Sequence, residues 1–156
     1  NAIFNNAYGI PAGKLGSEIL EESLEHLTNS YPHIQQIHGE KVLSISGEAG
    51  NFTISTNKSS LQAKIVVIAI GAGNPFNIEG LESFVMPHQK AAPEKNRIQL
   101  KNTDHLVTEG IYAAGVLAGH RSQLSIAAGS GTSVATDILT LWNNGNPVQV
   151  HDVLGK

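Results

Sequence analysis

The run IVVIAI, from Ile65 to Ile70, is the feature that most constrains the fold. It is continuously apolar and largely β-branched, the pattern of a strand buried on both faces, as in a parallel sheet covered by helices. Gly71-Ala72-Gly73-Asn74-Pro75 stops it. A second buried strand is expected over Ile111 to Ala114, followed by Gly115 and a loop from Val116 to Ser122. Gln123 to Trp142 then reads as a long helix, with Ile126, Val134, Ile138 and Leu141 as its apolar stripe and Gly145 placed for its C-cap. This order puts a glycine at the carboxyl end of a buried strand, the edge at which open α/β sheets bind ligands.

Upstream, Asn1 to Gly13 reads as a loop, and Ser17 is the expected N-cap of a helix ending near Ser30. Ile19, Leu20, Leu24 and Leu27 share one face of that helix. Glu18, Glu21, Glu22 and Glu25 form a solvated opposite face, placed mostly early, where the helix dipole favours negative charge. Tyr31-Pro32 ends the helix, and Ile34 to His38 is a short strand candidate. Three alternating runs follow: Val42, Leu43 and Ile45; Phe52 and Ile54; Leu61, Ala63 and Ile65. The turns Gly47-Glu48-Ala49-Gly50 and Asn57-Lys58-Ser59 between them predict an antiparallel meander. The third run passes into IVVIAI, so one strand is expected to leave the meander for a larger core. Asn77 to Asp104 is a connector broken by Pro87 and Pro93, with a short strand over Arg97 to Leu100.

The bulk properties exclude several classes. A chain of 156 residues, 40% hydrophobic, fits one ordinary globular domain. The net charge of −3, with basic residues scattered singly, argues against nucleic acid as a partner. With no cysteine, these residues offer no disulfide, no thiolate metal site and no redox-active Cys-x-x-Cys. The longest apolar run, Ile65 to Ile70, falls far short of the roughly 20 residues of a membrane span. NAIFNNAYG lacks the basic and apolar regions of a signal peptide, and a cytoplasmic location is the expectation. No histidine pairs at metal spacing, and His33 and His38 sit at an odd offset on their strand candidate. Ser125 or Ser130 as a nucleophile would need an activating base and an oxyanion site, and nothing in the sequence places either.

The start of the last helix is where chemistry is expected. Its first amides lack internal partners and carry partial positive charge, which suits a phosphate or an electron-rich carbonyl. Ala127-Ala128-Gly129-Ser130-Gly131 makes this half of the helix small-sided. A helical glycine costs about 1 kcal/mol relative to alanine, so the glycines call for a reason. One reading is a cofactor lying close by; the other is close packing of the helix against the sheet.

IYAAG, a short loop, Gln123 and then AAGSG resemble the second flavin-contacting motif of the thioredoxin-reductase-like branch of the pyridine-nucleotide–disulfide oxidoreductases. IVVIAIGAGNP with IEGLE downstream is similar to the same family's strand before its "ATG" turn, and NNAYGIPAGKLGSEIL to its early loop and helix. The match runs from about Tyr8 to Asn143. The resemblance implies an α/β fold: an FAD/NAD(P)-binding, Rossmann-like parallel sheet carrying a three-stranded antiparallel meander. Residues 1–145 would be a partial FAD-binding-type domain and 146–156 a tail. It implies FAD binding in an oxidoreductase-like protein, with Gly115, Val116 and Leu117 contacting through backbone and Gln123, Leu124 and Ser125 at the helix start. Ala69, Gly71 and Ala72 would border the adenosine side, Asn6 and Tyr8 would face the isoalloxazine, and His120-Arg121 would either touch phosphate or flavin or form a solvated loop.

The departures from the family are large. The glycine-rich G-x-G-x-x-G turn is absent, Val116 or Leu117 stands where the family has an acidic residue, and Ile70 replaces the threonine of "ATG". The connector Gly80 to Gly110 is too short for a nicotinamide domain, which needs on the order of 100 residues. The likeness therefore narrows to small single-domain relatives without that domain. Their glycine-rich βαβ unit is expected upstream of Asn1 or from a partner chain. The alternative is a cofactor-free module, its unpaired sheet edges serving self-assembly or a partner chain that completes the sheet.

Overall fold

The computed structural model describes residues 2–148, and the chain divides into two units, Asn1–Glu40 and Lys41–Lys156. In the first, β1 (Ile3–Phe4) pairs antiparallel with β2 (Lys14–Leu15), and the Asn5 side chain accepts the Gly13 amide at 2.9 Å. Helix α1 (Gly16–Ser30) has Leu15 as its N-cap, two residues before the expected Ser17. Its start is set by Glu18, whose carboxylate reaches back to accept the Leu15 amide at 2.8 Å and so satisfies a donor left free at the helix entrance. Lys14 and Glu22 form the one ion pair among the described residues. No residue of α1 is buried. Ile34 to His38 is not a strand: the Ile34 amide turns back onto the Tyr31 carbonyl, and no neighbouring strand is present to pair with it.

The second unit opens with the expected meander, β3 (Val42–Glu48), β4 (Asn51–Thr56) and β5 (Ser60–Ala63), in that order in the sheet. Period-two alternation puts Ile45 opposite Ile54, and Ile54 opposite Leu61, on the core face. The chain then bends at Lys64-Ile65 into β6 (Val66–Ile68). A hairpin of β7 (Val85–Pro87) and β8 (Ile98–Leu100) fills the connector, followed by β9 (Leu106–Thr108) and β10 (Ile111–Ala113). The second sheet has the order β6-β10-β9, with β6 and β10 parallel and β9 antiparallel to β10.

This corrects the expected fold class. The described residues form four small sheets, mostly antiparallel, with a single parallel pair and no Rossmann-like sheet. Parallel neighbours need a long crossover, usually a helix that covers the sheet. Here the crossover from β6 to β10 is spent on the β7–β8 hairpin and short 3-10 turns, so no βαβ unit forms.

The strand buried on both faces is β10, not IVVIAI. Ile111 and Ala113 enter the main core with Ile45, Phe52, Ile54, Ile68, Leu81, Ile98, Leu100 and Leu117. Tyr112, with Ala114 just beyond it, faces Val134 and Ile138. Burial first, and then the Asp137 carboxylate, raise the Tyr112 phenol above its ordinary pKa. By contrast, β6 is an edge strand whose Val67 is 43% exposed, and Ile70 beyond it is exposed too. Gly110 enters β10 with φ +75, and an added Cβ would lie 2.8 Å from the Phe52 ring, so only glycine lets the strand approach the meander this closely.

Helix α2 spans Leu124–Trp142. Its buried face is Ser130, Val134 and Ile138, one turn apart, whereas Ile126 and Leu141 of the expected stripe are exposed. The helix stops at Asn143-Asn144-Gly145 as expected: Asn144 and Gly145 both take left-handed conformations, and Gly145 donates to the Thr140 carbonyl at 2.9 Å. The tail expected from Asn146 lies outside the described residues from 149 onward. No helix among the described residues is long and apolar enough to cross a membrane.

Candidate functional site

Because β6 and β10 run parallel, their carboxyl ends lie at the same edge, and the Ala114 amide bonds the Ile68 carbonyl there at 3.0 Å. Two groups of candidate residues leave the sheet at this edge: Ala69, Gly71 and Ala72 after β6, and Gly115, Val116 and Leu117 after β10. Residues 115–118 form a single 3-10 turn that Gly119 closes in a left-handed conformation, and Gln123, Leu124 and Ser125 open α2.

Internal partners occupy several of these residues. Ala72 and Leu117 are fully buried in the core. The Gly115 amide donates to Ser130 Oγ at 2.8 Å, and the Val116 carbonyl accepts from His88 Nε2 at 3.1 Å. Ala69, Gly71, Gln123 and Ser125 are exposed, and Leu124 is half-buried. The Gln123 side chain makes no capping bond, and the first intrahelical bond runs from Ala127 to Gln123. The amides of Leu124, Ser125 and Ile126 thus have no acceptor within the helix. Close packing does not account for the helix glycines, because a Cβ at Gly129 or Gly131 would meet nothing within 4 Å. Tyr8 lies fully exposed in the loop of the first unit.

Beneath the 3-10 turn runs a polar network that the sequence did not reveal. Ser130, 5% exposed, lies 3.0 Å from His105 Nε2, which lies 2.9 Å from His120 Nε2. One ring nitrogen must donate and the other accept, so the two rings cannot both be fully protonated in this geometry. His120 has a pKa below the ordinary histidine value, first from burial, then from His105 and Lys90 nearby. Asn102 ties the network to the turn by donating to the Leu100 and Ala118 carbonyls at 2.7 and 3.2 Å. His88, also buried, accepts the Lys90 amide at Nδ1, so its Nε2 carries the proton it gives to Val116. Ser130 now has a histidine beside it, yet its burial and its bond from Gly115 make it a brace for the turn rather than a nucleophile. The available signal was local: Asn102, Asp104 and His105 are residues that tolerate tight turns, and the latter two have positive φ.

A cavity of about 430 Å³ opens beside the helix start, lined by Lys90, Lys95, Arg97 and Arg121 together with His88 and His120. Basic residues that are scattered singly along the sequence are thus gathered in space. Among the described residues, no group of three or more His, Asp or Glu side chains is arranged to hold a metal ion.

No family model and no curated protein sequence matches the chain. Solved structures do. Two crystal structures of a ferredoxin-flavin thioredoxin reductase from Clostridium acetobutylicum superpose with TM-scores of 0.64 and 0.63, both at 17% identity. They cover 92% and 90% of this chain and 83% and 84% of theirs. This corrects the expected recognition. The similar structures are named for a ferredoxin and not for a pyridine nucleotide, and no Rossmann sheet accompanies the resemblance to the pyridine-nucleotide–disulfide oxidoreductases. At this identity the likeness shows the fold alone: the chain is folded like a ferredoxin-flavin thioredoxin reductase.

Proposed function

We propose that the chain is a flavin-binding, redox-type domain, with FAD as the flavin, held where β6, β10 and α2 meet. The observation that carries this reading is the start of α2. Three amides there lack a helical acceptor, no side chain caps them, and the helix behind them is small-sided and open at Gly129 and Gly131. Partial positive charge at such a terminus suits the electron-rich carbonyls or phosphates of a flavin nucleotide. Exposed Ala69, Gly71, Gln123 and Ser125, with half-buried Leu124, are the residues free to touch it; Gly115, Val116, Leu117 and Ala72 shape the turn and strand end behind them. The fold shared with a flavin enzyme supports the reading.

When bound, a flavin supplies the electron chemistry, and the protein supplies binding, orientation and electrostatics. The Ser130–His105–His120 network holds the turn at its position, and the amides of α2 orient the ligand. The 156 residues contain no cysteine, so any dithiol–disulfide step needs thiols from outside them.

The test is flavin uptake. Purified protein, or protein incubated with FAD, should show bound-flavin absorption. Leu124→Pro removes the first helix amide at a position where proline is tolerated, because Gln123 before it is already extended. It should keep its helical circular dichroism and bind FAD about ten-fold more weakly, the equivalent of one charge-assisted hydrogen bond. Wild-type protein that takes up no flavin overturns the reading.

A second reading, a cofactor-free module for self-assembly, has its own observation: β6 is an open edge with exposed Val67 and Ile70 beside it. Colourless protein forming a stable oligomer that Val67→Lys dissolves would favour it.

A further inference from the structure

We infer that the cavity bounded by Lys90, Lys95, Arg97 and Arg121 is a binding site for a multiply charged phosphate group. This goes beyond the flavin reading and does not depend on it.

The argument begins with charge. The chain has a net charge of −3, yet both of its arginines and two of its lysines line one cavity, and no carboxylate lines it. Among the described residues, no carboxylate forms an ion pair with any of the four cations. Four like charges repel one another, and an arrangement that gathers them without counter-charges is stabilised by an anion that binds among them. Arginine offers a planar fork that matches phosphate oxygens in pairs, whereas lysine offers a mobile point charge; the cavity has two of each.

The walls are built, not draped. Lys95 lies in a 3-10 turn (Pro93–Lys95) closed by left-handed Asn96, whose side chain accepts from Asn74 at 3.0 Å. The Arg97 carbonyl accepts the His88 amide at 2.9 Å, which fixes one wall to the base of the β7–β8 hairpin. His88 then crosses to the Val116 carbonyl, tying that wall to the segment bearing His120 and Arg121. The Gln89 amide bonds the Gln99 side chain at 2.9 Å, and Gly119 packs closely against that same side chain. Ser122 and Gln123, at the uncapped start of α2, complete the rim and add helix-terminal positive potential. The pKa of His120 is lowered first by burial, then by His105 and last by Lys90 on the opposite wall.

The phosphate could be free or part of a nucleotide, and the experiment separates these sources. Flavin-free protein is titrated with inorganic pyrophosphate, followed by calorimetry and by the imidazole NMR signals of His120. Pyrophosphate should bind, weaken as salt is raised, and move the His120 titration to higher pH by screening Lys90. Arg97→Ala and Arg121→Ala, both exposed positions, should each weaken binding about ten-fold, the loss of one charge-assisted contact. Lys58→Ala, a surface lysine on the meander, should bind normally. Competition by FMN but not by riboflavin assigns the phosphate to a flavin nucleotide; pyrophosphate binding undisturbed by either assigns it to a free anion. No response of His120 to pyrophosphate, or binding unchanged in both arginine variants, overturns the inference. The flavin reading is scored separately by absorption, so the failure of one is not mistaken for the failure of the other.

Discussion

Helix α1 is fastened at its entrance by Glu18 and buries none of its residues; helix α2 has no fastening side chain and buries Ser130, Val134 and Ile138. In the first, the determinants lie within one turn of the chain. In the second they lie outside the helix, on β10 and in the 3-10 turn that precede it. A helix stabilised from its own ends can be read from its own residues. One stabilised by packing is free to leave its entrance bare, and a bare entrance is what ligand binding requires.

The contrast can be broken at several points. Val134 is 1% exposed, so Val134→Ala should cost about 2–3 kcal/mol in urea unfolding, while Leu24→Ala on α1, at 48% exposure, should cost well under half of that. Ser130→Ala leaves the half-buried Gly115 amide without its acceptor and should cost about 1–2 kcal/mol; amide exchange at Gly115 should accelerate with it. Glu18→Ala should cost about 1 kcal/mol, seen as fraying confined to the first turn of α1 with α2 unchanged. Gly131→Ala should reverse the sign, gaining up to about 1 kcal/mol because its Cβ meets open space; a gain in stability joined to weaker flavin binding would show what the glycine is for. The smallest effect is with pH. Folded His120 holds its proton less tightly than the unfolded chain does, so its contribution is complete above the ordinary histidine range and is lost as pH falls below it. Unfolding curves at neutral and mildly acidic pH should converge partly in His120→Asn.

The same contrast explains what was legible in advance. The meander was readable because alternation and turn residues are local, and so were α2 and the burial of β10. IVVIAI misled because apolarity says what can be buried and not what covers it: Val67 faces outward since no crossover helix forms to shield it. The covered parallel sheet expected from that run, and the Rossmann-like fold that the family resemblance implied, are both missing among the described residues. The network joins His105 before β9, His120 after the 3-10 turn and Ser130 on α2, while the cavity joins Lys90, Lys95 and Arg97 of the β7–β8 loop to Arg121; each is assembled from separate elements, which no spacing rule reaches.

Edge strand β6 also functions as a clock. Val66 donates to the Gly110 carbonyl and Ile68 accepts from the Ala114 amide, so the Val67 amide between them points away from β10. Its deuterium uptake therefore reports on the sheet's open side alone: fast while that side meets water, slow once any strand, from this chain or another, docks against it.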